Sequence, residues 1–307
     1  MSQTAEVSPF SIPQEPDDIY YEQLLTAAGS AARLALYKKS VSSLPLPPAL
    51  WNAFQRACRE EASSQELGNI IQDDPVLSAS ILRAANSKGL VLRPINDISQ
   101  AIARLGQSLV RSVVASHSFA ASTPTHHKAY DVKQLWKHGM AVSALAKVVA
   151  GFIPGCNADE AATIGLFHDV GRIGFNLITE FMQPADLDIC TGYLSYEYQR
   201  FACTHIDMGL VLAEHWQLPE KICQGIRFHH HPAYAEADAI PADVRAEVLA
   251  VYIADLLAIR AGCSGGNPGI MLPHSSFAAL LPNTSLAELS TDKRVTAELN
   301  TVQIIAF

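Results

Sequence analysis

The sequence predicts an all-α protein, and three observations carry that prediction. Apolar residues recur three and four positions apart in one segment after another, the spacing of a helix face turned to a core. Acceptor side chains, Pro and Gly stand at the ends of those segments, where helices begin and stop. No apolar/polar alternation of useful length marks a strand, and no repeat of fixed period is present. At 307 residues, 49% hydrophobic and 17% charged, the chain has the balance of one large globular domain or two packed subdomains, not of a disordered chain.

Residues 1–17 hold Pro9, Pro13 and Pro16 among polar side chains and read as a loose leader. From Asp18 to about Lys39, Tyr21, Leu24, Leu25, Ala28, Leu34 and Leu36 set a helical pattern that Leu44-Pro45-Leu46-Pro47-Pro48 interrupts, because proline in a helix interior removes a hydrogen bond and clashes. A first boundary is placed there, at about 39/40. Asp74 before Pro75 pairs an N-cap acceptor with a proline at the first helical position. Leu77, Ile81, Leu82 and Ala85 continue that helix, and Gly89 is its expected stop. Asn86 and Ser87 are expected to satisfy backbone groups where it turns. A further pattern runs through Ile98, Ile102, Leu105, Leu109 and Val113, and the polar stretch 121–130 sets a second boundary near 128.

Val132, Leu135, Val142 and Leu145 mark the next helix, and Asn157 with Glu160 opens another. Helices are expected from about 205 to 216, from Pro219 to 230 with Pro232 as the stop, and from 243 to 261. Gly262-Cys263-Ser264-Gly265-Gly266-Asn267-Pro268-Gly269 then breaks the chain. It lacks the Gly-Lys-Ser/Thr of a phosphate loop and reads as a linker. The division is therefore a leader and helix (1–39), a helical subdomain (40–127) packed on a second helical bundle (128–262), and a linker with a C-terminal tail (263–307). Ile304, Ile305, Ala306 and Phe307 are expected to dock the tail on the body.

Lys plus Arg number 22 against 30 Asp plus Glu, a net charge of −8. That balance argues against general nucleic-acid binding, which needs a basic face. The start has no secretory pattern, and apolar runs break well before the roughly 18–20 residues of a membrane span. Cysteines at 58, 156, 190, 203, 223 and 263 form no C-x-x-C pair, as expected of reduced thiols in a cytoplasm.

The chemistry is written in where His and Asp fall. His138 lies three residues after Leu135 and four before Val142, on the inward stripe. His168 and Asp169 sit inside the apolar run of Ile164, Leu166, Phe167 and Val170. His205 shares a face with Gly209, Leu212 and Trp216; His229 and His230 follow Ile222 and Ile226; Asp255 sits four after Val251. Burying a carboxylate alone costs several kcal/mol, and an unsatisfied imidazole roughly 1–3 kcal/mol. These side chains therefore need partners, which a shared cluster supplies. Imidazole with carboxylate is a ligand set for one or two divalent ions of Fe, Mn or Zn, and an Asp can bridge two of them. No organic cofactor is implied. His231, ahead of Pro232, reads as a surface residue at a helix end; His215 lies off the His205 face, and His117, His126, His127 and His274 lack partners at helical spacing. Trp136 and Trp216 read as core anchors.

The order His138, His168-Asp169, Asp255 resembles the HD superfamily of helical metal-dependent phosphohydrolases. His205 and His229-His230 are similar to the extra ligands of its HD-GYP branch, the bacterial cyclic-dinucleotide phosphodiesterases. The upstream motifs resemble the HDOD family more closely: Leu44-Pro45-Leu46-Pro47, Asp74-Pro75-Val76-Leu77, Ile81 through Ser87, and Ala101 through Gly106. So do Leu135-Trp136-Lys137-His138, Gly165 through Gly171, and Trp216-Gln217-Leu218-Pro219. The resemblance covers about residues 40–260. It implies an HD-like bundle for 128–262 and a cytoplasmic bacterial signalling module that acts by binding a partner protein or small ligand. The alternative is a metal-dependent phosphohydrolase, in which Asp169 bridges two ions and Arg172 screens developing charge; a di-iron site using oxygen is a third reading. After His230 the chain lacks the Asp-Gly-x-Gly-Tyr-Pro of HD-GYP proteins, and Arg172 stands where their lysine is expected.

Overall fold

A computed structural model of the chain describes residues 31–42, 48–87, 95–122, 130–177, 194, 197–198, 201, 203–263 and 272–305. All regular structure among the described residues is helical. The leader, the start of the helix read from Asp18, residues 43–47, Gly89, His126, His127, Cys190 and residues 264–271 lie outside them, as do the side chains of Ser87 and of 304–307.

The first half of the chain contains α1 (Ala31–Val41), α2 (Ala49–Arg59), α3 (Ser64–Ile71), α4 (Pro75–Ser87), α5 (Ile98–Leu105) and α6 (Gln107–Ser122). The caps are the ones the residues predict. Asp74 Oδ1 accepts from the backbone N–H of Val76 and Leu77 at 3.0 and 2.9 Å, while Asn86 holds Ile95 by bonds of 2.7 and 2.8 Å. The pattern from Ile98 to Val113 is not one helix but two. Gly106 takes φ +83° between them, a backbone conformation that glycine adopts without the Cβ clash of other residues.

The second half contains α7 (Val132–Ala150), α8 (Ala158–Phe167), α9 (Gly171–Phe175), α10 (His205–His215), α11 (Glu220–Phe228), α12 (His231–Tyr234) and α13 (Arg245–Arg260). Asp131, Asn157 and Thr204 cap α7, α8 and α10. Pro232 does not stop a helix: it lies in the first turn of α12, where its missing N–H has no intrahelical acceptor to lose. His231, read as a surface residue, is buried; its ring meets Phe228 edge-on at 4.7 Å. Beyond the Gly-rich run come a 3₁₀ turn at Ser275–Leu280, then α14 (Leu286–Thr291) and α15 (Lys293–Ile305). Leu289 and Val295 are fully buried there, and α15 lies against α7 and α4.

One buried hydrophobic cluster extends from Tyr37 to Val295. At its centre Phe119 of α6 touches Trp51 of α2, Trp136 of α7, Phe167 of α8 and Trp216, with ring centroids 4.7–5.8 Å apart. Aromatic rings from both halves thus interlock, the preferred geometry for large apolar surfaces with quadrupolar faces. Phe167, fixed in this core, directly precedes His168.

Candidate metal centre

The His-Asp pair occupies the tight connection from α8 to α9. Gly171 is the residue that lets α9 cross α10: a Cβ there would lie 1.8 Å from the carbonyl oxygen of His205. Only glycine permits that approach, and it brings Asp169 to His205. His138 comes from α7 and Asp255 from α13, while His229 and His230 lie just past α11. All seven residues predicted from the sequence therefore meet in one place.

They meet as two groups sharing a carboxylate. His138 Nε2 lies 3.3 Å from His168 Nε2 and 3.1 Å from Asp255 Oδ1. His205 Nε2 lies 3.1 Å from His229 Nε2 and 3.0 Å from His230 Nε2. Asp169 stands between them. Its Oδ1 faces His205 and His229 at 3.3 and 3.8 Å, and its Oδ2 faces His138 and His168 at 3.7 and 3.6 Å. The donor atoms of Asp169, His205, His229 and His230 all lie within 4.8 Å of one another, as do those of His138, His168 and Asp255. Asp255 and His230 are the partly exposed members; the other five are buried.

The tautomers follow from the partners. His138, His168 and His229 direct Nδ1 at the carbonyls of Cys263, Gly165 and Ile226, at 2.6, 2.8 and 2.7 Å. A carbonyl only accepts, so Nδ1 carries the proton and Nε2 keeps its lone pair. His205 Nδ1 meets the Glu197 carboxylate in the same way, at 2.6 Å. Lone pairs and carboxylate oxygens therefore converge on the middle of the cluster. Asp255 Oδ1, buried, has no hydrogen-bond donor among the described residues unless His138 is protonated. Such a set of acceptors calls for positive charge among them, and imidazole nitrogen with carboxylate oxygen is a donor set that Fe, Mn and Zn accept.

The electrostatics point the same way. Burial pulls His138 toward its neutral form, but Asp255 and Asp169 raise its pKa above the ordinary value. Burial favours the neutral acid at Asp169, yet Arg172 and the surrounding histidines hold it well below the usual range. Burial lowers His168, and it lowers His229 further with help from His230 and His168; His230 falls to about 3, first through burial and then through His205. His168, His229 and His230 are thus unprotonated at neutral pH, the form that metal binding requires.

Glu197 was not singled out from the sequence. It is fully buried and lies behind His205. Its signal was present: Leu194, Glu197 and Phe201 are spaced as one helical stripe, with an acid in an apolar position. Arg172 donates to Asp169 Oδ2 and, through Nε at 3.2 Å, to Glu197, so its guanidinium faces inward. His117 contacts Asp74 at 2.8 Å, and His274 Nδ1 pairs with Ser276; neither joins the cluster.

A family model for the HDOD domain matches residues 44–232. The crystal structure of an HDOD domain protein of unknown function from Geobacter sulfurreducens is similar over 93% of this chain and 97% of its own, at 27% identity and a TM-score of 0.66. A protein provisionally named for signal transduction, from Marinobacter aquaeolei, shares the fold at 17% identity and a TM-score of 0.64, over 95% of this chain and 67% of its own. One provisionally named a metal-dependent phosphohydrolase, from Shewanella amazonensis, shares it at 17% identity and 0.60, over 93% and 99%. An uncharacterized protein of Treponema pallidum is 26% identical over 219 residues, or 66% of this chain; the match spans 40% of that relative's length.

Proposed function

We propose that this chain, which belongs to the HDOD domain family, is a cytoplasmic regulatory module with a two-ion metal centre, acting by binding a signalling protein or small ligand. The observation that carries the reading is the division of Asp169: one oxygen faces His205 and His229, the other His138 and His168. His138, His168 and Asp255 would hold one ion, His205, His229 and His230 the other, and Asp169 both. Bound there, a divalent ion of Fe, Mn or Zn supplies Lewis acidity toward an anionic oxygen. The protein's part is to hold its donors ready: three backbone carbonyls and Glu197 set the tautomers, and Arg172 holds Asp169. Asp255 and His230, partly exposed, form the side from which a ligand reaches the centre.

Regulation is favoured over turnover because Arg172 is committed to Asp169 and Glu197 rather than aimed at a ligand. The name of the Marinobacter relative suits this reading. No helix among the described residues is long and apolar enough to cross a membrane. The test is elemental analysis of untagged protein purified without metal chromatography. One or two equivalents of Fe, Mn or Zn support the centre; no metal, and none taken up on addition, leaves a buried polar network.

A metal-dependent phosphohydrolase is the second reading, favoured by the same placement of Asp169 between the two histidine groups and by the name of the Shewanella relative. Turnover of nucleotides or phosphodiesters with added Mn or Fe, lost in a folded Asp169→Asn variant, would establish it.

A further inference from the structure

Glu197 carries four hydrogen bonds on two oxygens. Oε2 accepts from the backbone N–H of His205 at 2.8 Å and from His205 Nδ1 at 2.6 Å. Oε1 accepts from Arg172 Nε and the Tyr130 hydroxyl, both at 3.2 Å. The side chain has no exposure, so these bonds are made without competition from water. The other end of the Arg172 guanidinium grips Asp169 Oδ2. One carboxylate thereby stands behind two donors of the centre: directly behind His205, and through Arg172 behind Asp169.

We propose that Glu197 is the positioning residue of this centre, imposing the Nδ1–H tautomer on His205 and holding the Asp169 carboxylate between the two histidine groups through Arg172. This rests on the reading of the cluster as a metal centre, but the tautomer can be tested without any metal. A carboxylate is required because all four neighbours can donate to it at once. In Glu197→Gln the amide nitrogen donates only, so the amide oxygen serves His205 or Arg172 but not both. Partners at this remove from a metal typically contribute about 10–100-fold to its affinity.

The experiment has two arms. In the first, long-range ¹⁵N–¹H NMR of metal-free protein reads the His205 tautomer; the expected result is protonation at Nδ1, changing to a mixture in Glu197→Ala. In the second, Mn²⁺ affinity is measured by competition with a chelator. Glu197→Gln is expected to bind about 10–100-fold more weakly, with part of the loss recovered in Glu197→Asp, which keeps the charge. A wild-type His205 protonated at Nε2 overturns the proposal, as does a folded Glu197→Gln variant with unchanged Mn²⁺ affinity. If the variants do not fold, the wild-type tautomer decides alone. A wild type that binds no Mn²⁺ overturns the metal centre itself, leaving the tautomer to judge Glu197.

Discussion

His138 Nε2 and Asp255 Oδ1 stand 3.1 Å apart, two acceptors brought face to face by helices α7 and α13. The ring's other nitrogen is committed to the carbonyl of Cys263 at 2.6 Å, so the pair attracts only when positive charge lies between them. A proton or a metal ion supplies it. The arrangement repeats around Asp169, whose two oxygens face four imidazoles.

Asp169→Asn is expected to abolish metal uptake while preserving the fold. The amide keeps the volume of the carboxylate but removes its charge and half of its acceptor capacity, and Glu197 still accompanies Arg172. Metal content and far-ultraviolet circular dichroism check this; a folded variant that retains its metal contradicts the assignment. Asp169→Ala is a poorer probe, since it also removes the acceptor atoms that face Arg172 and leaves a gap in a buried site.

Gly171→Ala is expected to destabilise the protein and disturb the centre together. The added Cβ would meet the His205 carbonyl oxygen at 1.8 Å and the Gly209 nitrogen at 2.6 Å, both backbone atoms that cannot turn aside. Overpacking of this kind typically costs about 1–3 kcal/mol, occasionally more. A thermal melt with Tm unchanged would show that α9 and α10 can separate freely.

His231 should steepen the acid side of the stability profile. Burial, then Arg227, pushes its pKa down to about 4, against about 6.5 in an unfolded chain. Between those values the unfolded state binds the extra proton. The stability is therefore whole above about pH 6.5 and falls as pH drops toward 4, by up to roughly 3 kcal/mol. Urea unfolding with a chelator present, at pH 7 and pH 4.5, should show a smaller loss in His231→Leu than in wild type. Equal losses would mean that His231 does not titrate in this way.

Deletion after Leu281 is expected to lower Tm and increase the exposed apolar surface. It removes α14 and α15, whose Leu289 and Val295 are fully buried, together with the Arg294 guanidinium placed 4.3 Å over the Phe152 ring. Unaltered stability in the shortened protein would show that this segment contributes no packing.

Helix type and most helix ends are local properties, and they were legible along the chain. Asp74 and Asn157 cap helices through groups two or three residues away, so their neighbours carry the whole signal. The inward placement of the seven clustered His and Asp residues was also legible, because a titratable side chain on an apolar stripe can be recognised without knowing what it faces. Their division into two groups around Asp169 was not, since it depends on where α7, α10 and α13 cross. Glu197 escaped for the same reason: one acid on a short stripe means little until the fold sets His205, Arg172 and Tyr130 around it. His231 shows the opposite limit, a local cue for a wet surface that packing against Phe228 overruled. Amphipathic spacing states which side of a helix is buried; the identity of the partner on that side comes from the crossing of elements far apart in sequence, and that crossing is set by the close-packed core as a whole.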